Sequence, residues 1–234
     1  MGRGVAVITF PGSNGDLDAL HAFRHAVGVP AELVDYRATE LDDFEAVVLP
    51  GGFSYGDYLR CGAIARFAPV MQPLRAFAER GGPVLGICNG FQVLIEAHLL
   101  PGALLMNQSL QFHSDWVHLR AESGETAWTG NLSEGEVLTF PAAHGGGKYF
   151  ADPALLDQIE GNGQVIFRYS EPGGALSDDA NFNGSMNAIA GICNLRRNVV
   201  GLMPHPERAS DPLLGPTDGQ RMLTGIETFL SVAT

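Results

Sequence analysis

The chain has 234 residues, 45% of them hydrophobic and 17% charged, so it can bury the core of a folded domain and is not a disordered polymer. Its net charge of −12 repels phosphate backbones and disfavours nucleic-acid binding, and no apolar stretch is long enough to cross a membrane. Three cysteines are too few, and odd in number, for a disulfide framework, which points to a reducing, cytoplasmic setting, and the N-terminus lacks the charged start and long apolar run of a leader.

In chain order, the unbroken apolar run from Val5 to Phe10 predicts a buried strand. A turn cluster, Pro11-Gly12-Ser13-Asn14-Gly15, follows. Asp16 is placed to cap the next helix, with Leu17, Leu20, Phe23 and Val27 on one side. A short strand near Ala31 to Asp35 precedes a buried one, Ala46 to Leu49, which runs into Pro50-Gly51-Gly52. A helix is predicted over Pro69 to Arg80, then a strand from Val84 to Ile87 that leads into the helical spacing of Phe91, Leu94 and Ile95. This alternation predicts an α/β fold with a mostly parallel central sheet, covered by helices on both faces. In the second half, the segments 115–120, 137–140, 164–169 and 188–193 read as extra antiparallel strands that flank or extend the sheet. The chain returns through a strand, Val199 to Met203, and ends in an amphipathic helix over 219–230. Without a repeat or linker, residues 1–234 are expected to form a single domain.

The chemistry concentrates in Gly86-Ile87-Cys88-Asn89-Gly90-Phe91-Gln92. A cysteine between a buried strand and a helix sits on a nucleophile elbow, a sharp turn that lifts the sulfur above the carboxyl end of the sheet. The amides opening the helix favour a negatively charged sulfur there. A thiol nucleophile needs a base, and His205 stands at another strand end, fixed between Pro204 and Pro206. Glu207 is close enough to orient the imidazole. Acyl chemistry also needs amide donors for a developing oxyanion; the Gly51-Gly52 turn and the Asn89 amide are candidates. His144, in Ala143-His144-Gly145-Gly146-Gly147, is the rival base, in a loop expected to be flexible and near the site or an interface. That loop lacks the spacing of a phosphate-binding P-loop. Cys61 and Cys193 read as small buried hydrophobes, His113 and His118 as residues on opposite faces of one strand, and His21, His25 and His98 as helix-associated. No Cys/His spacing suggests zinc.

Pro50-Gly51-Gly52, the Cys88 elbow and Pro204-His205-Pro206-Glu207 together resemble the class I, Cys-His-Glu glutamine amidotransferases. Longer stretches are similar to the glutaminase subunits of phosphoribosylformylglycinamidine synthases within that class. They are Phe10 to Asn14, Gly51 to Arg60, Asn183 to Asn194, and Met203 to Arg208, and the likeness extends over essentially the whole chain. The resemblance implies a flavodoxin-like fold. It implies that Cys88 attacks the glutamine carboxamide, that His205 is acid and base, that Glu207 orients it, and that the Gly52 and Asn89 amides hold the oxyanion. Gly51 and Gln92 would bind substrate. It further implies no cofactor or metal in this chain, with ATP and magnesium used by a separate synthetase subunit that receives the ammonia, and a small accessory subunit. Two departures stand out: Asn107 to Asp115 lacks the family's Cys-Arg pair, and Gly146 replaces an acidic residue. The alternatives are a free-standing cysteine amidase and a non-catalytic glutamine-sensing subunit.

Overall fold

The computed structural model describes residues 3–122 and 125–232. Four apolar segments form parallel strands buried at almost every position: β1 (Val5–Thr9), β3 (Ala46–Leu49), β4 (Val84–Ile87) and β11 (Val199–Leu202). Burial on both faces requires cover on both faces, and an alternating pattern would fail here. β2 (Ala31–Asp35) closes this half as an edge strand with alternating burial. The other half is antiparallel: β10 (Ile189–Cys193), β9 (Val165–Ser170), β6 (His113–Ala121) and β7 (Val137–His144). The nine strands form one sheet in the order β2-β1-β3-β4-β11-β10-β9-β6-β7. The antiparallel strands therefore extend the parallel sheet rather than forming a layer of their own. β6 and β7 are longer than their apolar centres predict, because the ladder continues out to the His113–His144 pair. A small separate pair, β5 (Ala103–Leu105) and β8 (Lys148–Phe150), was not foreseen; three residues carry too little pattern.

Helix α1 (Asp16–His21), which continues as a π-helix over Ala22–Val27, packs on β1 and β2. α3 (Asn89–Glu96) packs on β3, β4 and β11. α2 (Met71–Glu79), α5 (Asp218–Leu223) and α6 (Gly225–Val232) complete the parallel half. α4 (Pro153–Gly161) was not predicted, although Asp152 caps it by accepting from the Leu155 amide at 3.0 Å and Pro153 begins it. Three expectations are corrected. Asp16 lies inside α1 and does not cap it. Leu17 is 62% exposed, whereas Phe23 and Val27 are buried as expected, together with Ala19 and Ala22. The terminal helix breaks at Thr224 into α5 and α6. Trp128, fully buried, packs edge-on against Phe23 and donates its indole N–H to the Val84 carbonyl at 3.2 Å, which ties the β6–β7 connection to the base of the nucleophile strand.

Candidate active site

Cys88 occupies the single residue between β4 and α3, with φ +50 and ψ −105. A side chain in that region costs roughly 1–3 kcal/mol, so the neighbouring structure must impose it. It does so from two sides: the Cys88 amide donates to the Leu202 carbonyl of β11 at 2.8 Å, and its carbonyl accepts the Gln92 amide at 3.1 Å. The sulfur is almost buried and lies 3.9 Å from the Ala143 carbonyl of β7.

His205 follows β11, and its backbone amide donates to the Pro141 carbonyl of β7 at 2.8 Å. The ring is buried, with Nδ1 2.6 Å from Oε1 of Glu207, while Nε2 makes no hydrogen bond among the described residues. Burial alone would lower the imidazole pKa. The Glu207 carboxylate and the Cys88 sulfur outweigh it, and hold His205 up at about 10. The imidazole is thus protonated at neutral pH, charged between two anion-forming groups. Gly51 packs under this ring: a Cβ there would come within 2.7 Å of His205 Cε1. Its carbonyl accepts the Asn14 and Gly15 amides at 3.3 and 3.1 Å. Gly51 therefore packs against the catalytic pair, where any side chain would displace the His205 ring.

The sulfur opens into a cleft of about 110 Å³ at the carboxyl end of the sheet, and Gly52, Gln92 and His205 stand on its wall with Cys88. Asn89 and Glu207 lie behind that wall. The amides of Gly52 and Asn89 have no acceptor among the described residues, so both are free to serve an oxyanion. The Asn89 side chain organises the loop that carries Gly52: its Oδ1 accepts the Ser54 amide at 3.0 Å, and its Nδ2 donates to Asp57 at 3.2 Å and to Gln92 Oε1 at 2.9 Å. Gln92 Nε2 donates in turn to the Gly146 carbonyl at 2.6 Å. The Gln92 carboxamide is thus tied on both atoms to the protein, drawing the glycine loop over the cleft.

That loop is anchored. Asn107, which the sequence reading did not single out for a role, holds His144 Nδ1 at 3.0 Å and the Gly147 amide at 3.1 Å on its Oδ1, and donates to the His144 carbonyl at 2.8 Å. His144 ends β7 and does not reach the nucleophile as a base. Burial, with the positive charges of His205 and His113, lowers its pKa to about 3. Cys61 is also corrected: it is half-buried on the cleft wall, and burial with the Asp57 carboxylate pushes its thiol up to about 12. Cys193 is buried in β10 as expected. His144 makes stability pH-dependent. The unfolded ring takes a proton near 6.5 and the folded ring only near 3, so its contribution is complete above pH 6.5 and is lost as the pH falls through that window. A His144→Gln variant should remove a slope of up to about 1.4 kcal/mol per pH unit. Urea unfolding of both proteins between pH 7 and 4.5 measures it, and parallel curves would contradict it.

The fold and this site define the class as a glutamine amidotransferase. The family model described as "CobB/CobQ-like glutamine amidotransferase domain" matches residues 3–228. Two curated proteins named "Phosphoribosylformylglycinamidine synthase subunit PurQ" are similar over nearly their full length. The one from Thermomicrobium roseum is 58% identical over 221 residues, 94% of each chain. The one from Rubrobacter xylanophilus is 59% identical over 222 residues, 95% of this chain and 96% of the other. Among solved structures, that of PurLQS from Thermotoga maritima superposes with a TM-score of 0.86 at 41% identity, covering 98% of this chain and all of that one. The chain belongs to the PurQ family, the glutaminase subunits of phosphoribosylformylglycinamidine synthase.

Proposed function

We propose that Cys88, His205 and Glu207 hydrolyse glutamine in this protein. The observation that carries this reading is the His205 ring, held at Nδ1 by Glu207 and unpartnered at Nε2 beside the Cys88 sulfur. The sulfur, as thiolate, attacks the carboxamide carbon, and the oxygen takes the negative charge in front of the Gly52 and Asn89 amides. His205 gives its Nε2 proton to the departing nitrogen, which leaves as ammonia, and a glutamyl thioester remains on Cys88. A water then loses a proton to His205 and adds to the thioester carbon; the carbon–sulfur bond breaks, releasing glutamate and restoring the thiolate–imidazolium pair. Glu207 keeps the ring oriented and stabilises its charged form. Gln92, on the cleft wall, and Gly51, against the His205 ring, hold the substrate glutamine.

Residues 1–234 act as one amidotransferase domain with no cofactor or metal of its own, in the cytoplasm. The ammonia passes to a synthetase subunit that uses ATP and magnesium to convert formylglycinamide ribonucleotide to the formylglycinamidine, and a small accessory subunit completes the assembly. No helix among the described residues is long and apolar enough to cross a membrane. The loops around the cleft expose Phe53, Leu59, Leu110 and Phe112, of which Phe53 and Phe112 line it, and these apolar side chains suit a protein partner. Glutamate release should rise at least about tenfold when the purified chain is combined with the synthetase subunit, formylglycinamide ribonucleotide and ATP, a change of about 1.4 kcal/mol in barrier. Equal rates with and without the partner would favour the free-standing amidase.

A further inference from the structure

Two charged side chains on the cleft wall are left unused by the hydrolytic steps: Arg208, which is paired with Asp18 at 3.0 Å, and Asp57, whose carboxylate has no such partner. It stands on the cleft wall, half-buried, in the loop after β3. Oδ1 accepts from Asn89 Nδ2 at 3.2 Å, and the Cys61 thiol is its second donor. Both donors are neutral. Arg60, three residues on, is committed to Glu96 through two hydrogen bonds, at 2.5 and 2.7 Å. No arginine or lysine pairs with Asp57 among the described residues. A partly desolvated carboxylate without a cation is costly, and burial duly makes Asp57 a weaker acid than usual.

The backbone that delivers it is strained as well. Tyr55, Asp57 and Leu59 all adopt positive φ, at 54, 53 and 70, around Gly56 at 69. Side chains in that region are unfavourable and persist where the surroundings over-determine them, which is common at ligand clamps. Here the determining contact comes from Asn89, the residue after the nucleophile. The α-nitrogen of an amino-acid amide such as glutamine is four bonds from its carboxamide carbon, about 5 Å at ordinary bond lengths. Asp57 lines the same cleft as Cys88 and is hydrogen-bonded to the residue that follows it.

We propose that Asp57 receives the α-ammonium group of the substrate, and so selects free glutamine over carboxamides that lack this charge. This rests on the glutaminase reading above. The strained loop, the neutral hydrogen-bond donors and the missing counter-ion are then parts of one cation subsite, completed when substrate enters.

The test compares L-glutamine with glutaramate, which is glutamine without its α-amino group, in the assembled complex with its synthetase subunit. Wild-type kcat/KM for glutamine should exceed that for glutaramate by about tenfold or more, the effect of one charge-assisted hydrogen bond. Asp57→Asn should collapse this ratio, mainly by raising KM for glutamine, and Asp57→Glu should restore part of it. A purely structural Asp57 would lower both substrates in proportion and keep the ratio, which overturns the proposal. Wild-type protein that shows no preference overturns it without any variant. Failure of the glutaminase reading looks different: the wild-type complex then releases ammonia from neither substrate, and the proposal falls with it.

Discussion

Cys88→Ala abolishes glutamate release while the protein stays folded and still assembles. The sulfur is the only atom lost, and the elbow that carries it is built from backbone: the amide to Leu202, the carbonyl from Gln92, and a φ of +50 that alanine adopts at the same cost as cysteine. The sulfur approaches the Ala143 carbonyl at 3.9 Å and faces the His205 ring, which Glu207 continues to hold, so its removal should cost about 1 kcal/mol of stability. The chemistry has no substitute. His144, the other imidazole near the cleft, is neutral and clamped by Asn107. Removing a covalent nucleophile from such a unit costs on the order of 10⁴-fold or more in rate. The measurement is glutamate release by the complex, with circular dichroism and partner binding as controls. Activity within tenfold of wild type would exclude Cys88 as the nucleophile.

The second large effect is structural. At Gly90, a Cβ would lie 1.9 Å from the Leu49 carbonyl oxygen and 2.6 Å from its carbon, both backbone of β3. Backbone in the middle of a sheet cannot step aside, so Gly90→Ala must push α3 off the sheet. Overpacking of this kind costs about 3 kcal/mol or more, a fall in Tm of roughly 6–12 °C for a chain of this size. The displaced helix carries the Asn89 amide and the far side of the elbow. A shift near 1 Å there costs about a hundredfold in rate even in protein that remains folded. Gly161→Ala, at the end of α4 with nothing within 4 Å of the added carbon, is the control and should be nearly neutral. Similar melting temperatures for the two variants would show that β3 and α3 are less closely packed than described.

Much of this molecule was legible because two strong signals coincide. Strands buried on both faces must be continuous apolar runs, and Val5–Thr9, Ala46–Leu49, Val84–Ile87 and Val199–Leu202 are such runs. The residues that end them, glycines, Cys88 and His205, lie where such sheets place their sites. The misses have physical causes. Leu17 was placed on one side of the helix with Phe23 and Val27, which are buried, but it faces solvent, and Ala19 and Ala22 complete the buried side instead. The capping pair Asp152-Pro153 was present in the sequence but the short amphipathic stretch behind it was passed over. Cys61, Asp57 and Asn107 belong to loops whose backbone is set by long-range partners, Asn89 and His144, up to 37 residues away. Cys61 and Asp57 lie in or beside a stretch already recognised as a family marker, yet their facing the cleft depends on a left-handed run of residues that no local pattern announces.

The stitching of the site to the sheet has a further consequence. Cys88 is bonded through its amide to β11, and His205 through its amide to β7, strands of the same continuous sheet. Nucleophile and base therefore belong to one cooperative folding unit, and local opening cannot separate them without disrupting core ladders. Silencing this enzyme by pulling its catalytic pair apart would cost a large part of its global stability. A partner that switches it on has a far cheaper route through the loops over the cleft, where Gly146 hangs on one Gln92 hydrogen bond. Control of such an enzyme falls on admission of substrate, with the chemistry left permanently assembled beneath.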